Sequence, residues 1–358
     1  MTSRERVEAA LRHREPDRTP MFEYVILSPM AGALLGRRYV TYHDLGEWFS
    51  AEDEYGWEEA LKRSVTDLLD LSELLGHDML YVMPAPQPNC NRDMPACSPP
   101  MLGAPIERVR NRNETASQHP VGLSDESLVV YEILREEMSR RGLDLPILAP
   151  AYMHGIWNDV DLMQTMVLAP EVAHEHFTLA TRNGLTRVDQ CLKAGADLIG
   201  VGGDFAGNRP MISPEMYREF IVPGVRALSG KVHSAGRWAI NASDGNLWSV
   251  IDDFLIGCDV DGYLEIDQHA GMDLSALKKR FGDRITLLGN MDCGLTLSTC
   301  APEEIRRRTV DCIEAGSGGG GHILCAGSAI TGSIPLVNYL AMVDAYREVF
   351  GIPALRLG

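Results

Sequence analysis

Short apolar runs alternate with amphipathic stretches along most of the chain, and the alternation has a consistent length. The runs RTPMFEYVIL (Arg18 to Leu27), HDMLYVMP (His77 to Pro84), LPILAPAY (Leu145 to Tyr152), LIGVGG, KVH, VDGYL, ITLLGN and HILCAG are each bounded by turn residues and read as buried strands. Between them lie stretches with helical spacing, among them Glu54 to Leu75, Ser124 to Arg141, Asp159 to Leu168, Pro170 to Gly195, a helix opened by Ser213-Pro214-Glu215, residues 244–257, Leu274 to Phe281 and Pro302 to Ala315. Thr2 to His13 is an opening helix. Eight strands alternating with helices predict an α/β fold, a single (β/α)8 TIM-type barrel over residues 1–358 with an N-terminal helical extension. The segment from Ala85 to Pro120, rich in Pro and Asn, reads as an elaborated loop with a hairpin around Ile106 to Arg110.

In such a barrel the carboxyl ends of all strands share one face, and that face carries the chemistry. KVHSAG (Lys231 to Gly236) reads as a strand that delivers His233 to a glycine. Its neighbours deliver Asp204, Glu265, Asp292 and Ser328, and His154 follows the third strand. A histidine among carboxylates is either a general acid/base cluster or a nitrogen and oxygen metal site, and spacing does not separate the two. Any one of these acids alone reads as a helix cap or an arginine partner; the set, converging on one mouth, is the candidate site. The run GSGGGG (Gly316 to Gly321) follows a helix and opens a strand. That order places it on the structural face as a tight turn, since a phosphate loop follows a strand and opens a helix.

Composition narrows the partners. With 33 Lys+Arg against 50 Asp+Glu the formal net charge is −17, with no basic stripe, which excludes nucleic acid and an anionic polymer as substrates. No apolar run approaches the roughly 18 residues of a membrane span, so the expected location is cytoplasmic. The 8 cysteines are scattered without a CxxC, which argues against a disulfide framework and a four-cysteine zinc module.

The pieces RERVEAALRHREPDRTP, GGDFAGNRPMISPEMYREFIVPGVRAL, KVHSAG, GMDLSALKKRFGDRITLLGNMD and GGGHILCAGSAI, the last followed by PLVNYLAMVDAYRE, resemble the uroporphyrinogen decarboxylase superfamily over nearly the whole chain. The resemblance implies a barrel enzyme, either a decarboxylase or a corrinoid-linked methyltransferase. The arginine-rich RQAGRY segment by which true decarboxylases of the family grip tetrapyrrole propionates has no counterpart in MFEYVILSPMAGALLGRRY, where only Arg37 and Arg38 stand nearby. Thiol-methylating members hold zinc through HxCG and a later Cys; on KVHSAG the resemblance keeps His233 and puts Ala235 and Ser328 at the two Cys positions.

The expectation is therefore a methyltransferase moving a methyl group between a small O- or N-methylated substrate and a corrinoid on a partner protein. The alternative is decarboxylation of a carboxylated small molecule or tetrapyrrole, and a barrel that only binds is a third reading. On the first reading His233, Asp204 and Glu265 are catalytic and form a hard site for zinc or another divalent metal, while Cys293 and Cys325 read as core residues rather than as substitutes for the missing ligands. Tyr24, His154, Trp157, Asp292 and Ser328 shape the substrate pocket, and a second copy of the chain is a further candidate partner.

Overall fold

A computed structural model describes residues 1–88, 104–119 and 121–357. Seven parallel strands follow one another in chain order around one sheet: β1 Leu80–Tyr81, β2 Ile147–Pro150, β3 Leu198–Gly200, β4 Trp238–Ala242, β5 Gly262–Leu264, β6 Thr286–Leu288 and β7 His322–Ile323. Residues 20–26 lie between the two edges. The Phe22 N–H donates to the Leu324 carbonyl (3.1 Å) and the Leu324 N–H to that of Pro20 (2.8 Å), while on the other side the Asp78 N–H donates to Met21 (2.7 Å). This stretch takes the eighth position and completes the (β/α)8 barrel. It forms isolated bridges, Met21 with Leu324 and Ile26 with Ile330, rather than a regular ladder. Pro20, which has no N–H to give, contributes to that irregularity.

Phe22, Met79, Leu148, Leu198, Ile240, Leu264, Leu288, Ile323 and Cys325 form one buried cluster, the barrel interior. The opening helix Ser3–Leu11 adds Val7, Ala10 and Leu11 to that same cluster, so it plugs the amino-terminal end of the barrel. It is started by a capping box in which the Thr2 hydroxyl accepts from the Glu5 N–H and the Glu5 carboxylate accepts from the Thr2 N–H. Gly318 to Gly321, all at φ between +70° and +85°, turn the chain from helix Pro302–Gly316 into β7 beneath this plug, where the Gly321 N–H donates to Ala10 (2.9 Å). The glycine run is thus the structural turn that its order predicts.

One buried carboxylate ties the plug to the barrel. Asp78, fully buried just before β1, accepts from Arg6 Nη1 (2.7 Å), Arg18 Nη1 (2.7 Å) and Nη2 (2.9 Å), the Ser3 hydroxyl (2.9 Å) and the Met21 N–H (3.0 Å).

Three predicted elements are corrected. KVHSAG is the last turn of helix Val222–Ser234, and the strand is WAINA, β4. Val225, Leu228, Ser229 and Val232 are buried at helical spacing, and Gly236 at φ +68° stops the helix. Residues 244–257 are helical only from 251, ending in a π-helical turn over Asp253–Gly257; 244–250 form a loop. The expected hairpin at Ile106 to Arg110 is part of helix Pro105–Gln118, with Pro105 in its first turn and Val109 and Asn113 buried one turn apart. The rest of that predicted loop, with Cys90 and Cys97, lies outside the described residues.

His233 therefore sits on the structural face. Its Nε2 pairs with Asp261 (2.8 Å), whose Oδ2 also accepts the Ala239 N–H (2.7 Å). Asp261 precedes β5 and Glu265 follows it, which separates the two by roughly 13 Å at about 3.3 Å per residue.

Two expectations follow. Asp78→Ala leaves two inward-facing arginines short of their counter-ion and destabilises the protein by about 3–5 kcal/mol in denaturant melts. His233→Ala removes a half-exposed pair, lowers stability by less than about 1 kcal/mol, and leaves ligand binding at the opposite face unchanged in titrations of both proteins.

Candidate active site

Three adjacent strands each release an acid at their carboxyl ends: Asp204 after β3, Asp244 after β4 and Glu265 directly after β5. Two glycines make these exits possible. A Cβ on Gly202 would fall 1.8 Å from Asn241 Oδ1, the carboxamide that secures β4 to the Phe254 carbonyl (3.0 Å). Gly245, at φ +82°, turns the chain after Asp244 where a Cβ would lie 2.6 Å from the Gly207 carbonyl. Glu265 is itself left-handed at φ +69°, a conformation costing a non-glycine residue about 1–3 kcal/mol.

These residues border two neighbouring cavities. The inner one, about 150 Å³, lies at the mouth of the barrel between Tyr24, Tyr81, Tyr152, Asp204 and Glu265, over Leu148, Pro150, Ile240, Ala242 and Leu264. The rings of Tyr24 and Tyr81 meet edge to face, with centroids 5.1 Å apart and planes at 77°, so they form a corner. The outer cavity, about 350 Å³, is polar, lined by Asp244, Asp267, Gln268, His269, Asp292, Cys293, Ser328, Thr331 and Ser333. Asp244 stands between them: its N–H donates to Asp204 Oδ1 (3.3 Å), and the next N–H, of Gly245, donates to Asp267 Oδ2 (3.1 Å).

Carboxylates crowded out of water resist ionisation. Burial, and then the charge of Asp204, push Glu265 up to about 8, against a hydrogen bond from the Tyr24 hydroxyl. Burial, then Asp204 and Asp267, push Asp244 up to about 6, and burial raises Asp204. Among the described residues no Lys or Arg lines either cavity, and the one basic side chain is His269, in the outer one. His43, next to Tyr81, is pushed down to about 4 by burial and is neutral.

Of the predicted site residues, Tyr24, Asp204 and Glu265 meet in the inner cavity, and Asp292 and Ser328 in the outer one. Asp292 is already engaged there, capping a helical turn by accepting the N–H groups of Gly294 (3.0 Å), Leu295 (3.2 Å) and Thr296 (2.9 Å). His154 lines neither cavity; it is 3% exposed and edge-on to Phe205. Trp157, on the turn Ile156–Asn158, faces solvent at 47% exposure. His233 is at the other end of the barrel, so its pairing with Asp204 and Glu265, as acid or as ligand, is overturned, and with it the alignment that put Ala235 at a cysteine position.

Among the described residues no three His, Cys, Asp or Glu side chains are arranged to hold a metal ion. The side chains present do not fit the zinc or divalent site that the resemblance implies. Cys325 belongs to the barrel interior and Cys293 to the outer cavity; burial raises both thiols, Cys293 to about 11. The sequence reading missed Tyr81, Asp244 and Asp267. The signal for Asp244 is the polar run SDGN that follows the apolar WAIN, hidden once the strand is placed seven residues too early.

The uroporphyrinogen decarboxylase (URO-D) family pattern matches residues 144–349. A protein of Coxiella burnetii named uroporphyrinogen decarboxylase is 28% identical over 186 residues, 50% of this chain and 48% of that one; the chain spans about half the length of such relatives. A protein of Methanosarcina barkeri named methylcobamide:CoM methyltransferase MtaA is 23% identical over 257 residues, 67% of this chain and 73% of that one. The solved structure of a methyltransferase from Methanosarcina mazei superposes with a TM-score of 0.69 at 18% identity, covering 98% of this chain and 99% of that one, and shares the barrel fold. No described helix is long and apolar enough to cross a membrane. With more than half of its length matched, the chain belongs to the uroporphyrinogen decarboxylase (URO-D) family.

Proposed function

We propose that the barrel mouth removes a methyl group from a small O- or N-methylated compound and passes it to a corrinoid carried by a separate protein. The observation that carries this reading is the inner cavity: small, tyrosine-walled, ending in Asp204 and Glu265, and, among the described residues, free of Lys and Arg. At about 150 Å³ it is below the range of pockets that enclose drug-sized ligands. A substrate with several carboxylates would meet carboxylates there instead of cations. The similarity to the M. barkeri methylcobamide:CoM methyltransferase supports the methyl-transfer branch. The relatives named as decarboxylases support the alternative, decarboxylation of a tetrapyrrole or smaller acid, and the charge of the mouth speaks against it.

The corrinoid supplies the electron pair that accepts the methyl group. The chain's own residues position the methylated heteroatom and manage its charge. The electron pair of the broken carbon–heteroatom bond stays on the heteroatom. An ether oxygen needs a proton to leave as an alcohol, and Glu265, protonated at neutral pH, is placed to give it. An ammonium nitrogen leaves as a neutral amine without one, and its positive charge favours the ionised form of Glu265, which serves as its counter-ion.

Glu265→Gln keeps the shape but can neither donate an acidic proton nor carry charge. Methyl transfer to reduced free corrinoid, followed by the corrinoid's absorption spectrum over a panel of O- and N-methyl compounds, is expected to fall roughly a hundredfold or more in that variant. Conversion of uroporphyrinogen by the unaltered protein, with no methyl transfer from any of the panel, would reverse the choice between the two readings.

A further inference from the structure

Resting on that reading of the mouth, we propose that the group held in the inner cavity is a cation: the substrate is a small methylated ammonium, seated against Tyr24 and Tyr81 with Asp204 and Glu265 as counter-ions.

Two independent features point the same way. The first is the tyrosine corner. Rings at 77° to one another, 5.1 Å between centroids, both line the inner cavity, and aromatic faces set at an angle are how proteins hold methylated ammonium groups, which offer no N–H to a directional acceptor. The second is the charge that the fold leaves uncompensated. Asp204, Asp244 and Glu265 repel one another across two cavities where, among the described residues, no Lys or Arg intervenes. Elsewhere the chain does supply partners: Asp78 takes Arg6 and Arg18, Asp197 takes Arg4 and Arg237, and Asp261 takes His233. Among the described residues the carboxylates at the mouth lack a Lys or Arg partner, in a molecule that pairs its acids at the other end of the barrel. A cationic ligand completes the pairing, and a neutral or anionic one does not.

The polar outer cavity adds the orientation. With Ser328, Thr331, Ser333 and Gln268 on its walls it suits a hydroxylated or amide remainder, while the methylated head faces the tyrosines. The ligand then spans the Asp204–Asp244 contact, with Asp244 alongside its middle.

The pH dependence distinguishes this from an acid-assisted ether site. Glu265 faces Tyr24, Tyr81, Tyr263, Cys325, Asp204 and Asp244; the tyrosines and Cys325 all titrate above their ordinary ranges, which leaves Asp244 and Glu265 to change charge between about pH 6 and pH 8. An ammonium ligand is charged throughout and binds the ionised carboxylates. Its affinity therefore rises as pH increases from about 6 to about 8, whereas a neutral ether that needs protonated Glu265 reacts more slowly over the same interval.

The experiment uses choline and its uncharged tert-butyl isostere, 3,3-dimethylbutan-1-ol, as probes, with calorimetric binding to the purified protein at pH 6, 7 and 8. The expected result is choline binding at least about tenfold tighter than the isostere, a preference that grows with pH and is lost in Glu265→Gln. Asp204→Asn, at an ordinary backbone conformation, provides a second variant should the strained Glu265 position compromise folding. Tyr24→Phe is expected to keep most of the affinity and Tyr24→Ala to lose it, since the ring and not its hydroxyl makes the corner. Equal binding of the two probes, or choline binding that weakens from pH 6 to pH 8, overturns the proposal. Choline bound as described, with no methyl transfer to reduced corrinoid from any O- or N-methyl compound of the panel, upholds the cation site and removes the methyltransferase reading. Methyl transfer from neutral ethers with no preference for choline does the reverse.

Discussion

The barrel is closed by one buried carboxylate. Asp78 stands where the sheet would otherwise be open, and it gathers the opening helix through Ser3 and Arg6, the irregular eighth stretch through Arg18 and the Met21 N–H, and β1, which it immediately precedes. Residues 20–26 make only isolated bridges, so backbone pairing alone would hold them weakly; charge-assisted hydrogen bonds to a fully buried acid fix their register. That register matters for the site, because the same stretch carries Phe22 into the barrel interior and Tyr24 to its mouth. A pair of aromatic rings at the functional face thus depends on an ionic cluster at the opposite one.

The two ends of the barrel treat charge in opposite ways. At the amino-terminal end every buried or half-buried acid named above has an arginine or histidine partner. At the carboxyl end Asp204, Asp244 and Glu265 face two cavities bordered, among the described residues, by no Lys or Arg, and their shared response is to hold protons more tightly than isolated carboxylates do. The first arrangement suits stability, since pairing relieves the desolvation of each ion. The second suits binding, since groups poised between charged and neutral forms near pH 7 can respond to a ligand's charge.

Much of the barrel was legible in the sequence. Seven of the eight apolar runs coincide with strands or with the stretch that closes the sheet, and the acids and hydroxyl at four strand exits, Asp204, Glu265, Asp292 and Ser328, do reach the mouth. The failure at KVHSAG has a definite physical source. Val232 completes a helical series from Val225, yet seen in isolation Lys-Val-His has the look of a short strand, and a short apolar run does not reveal its period. That one displacement carried His233 into the site and Asp244 out of it, because Asp244 then fell within a supposed helix. Tyr81 was read only as part of an apolar strand; nothing in the local pattern says that its ring turns toward another strand's tyrosine. Pro105 likewise opens a helix where its proline- and asparagine-rich surroundings suggest a loop.

Glu265 concentrates the tension between these demands. It lies in a backbone region that favours glycine, its carboxyl is largely desolvated, and two further acids stand beside it, so each of three effects opposes keeping it there. A glycine would relieve the backbone strain, and a glutamine would remove the repulsion. Strain of this kind persists where the surrounding structure over-determines the conformation. Here that surrounding structure is β5 paired on both sides, with Leu264 packed in the interior immediately before the turn. The left-handed residue reverses the chain at the strand's end, leaving the carboxyl beside Tyr24 and Asp204 at the cavity wall. The rigid barrel thus sustains, at its mouth, a carboxylate whose charge is left for a bound ligand to settle.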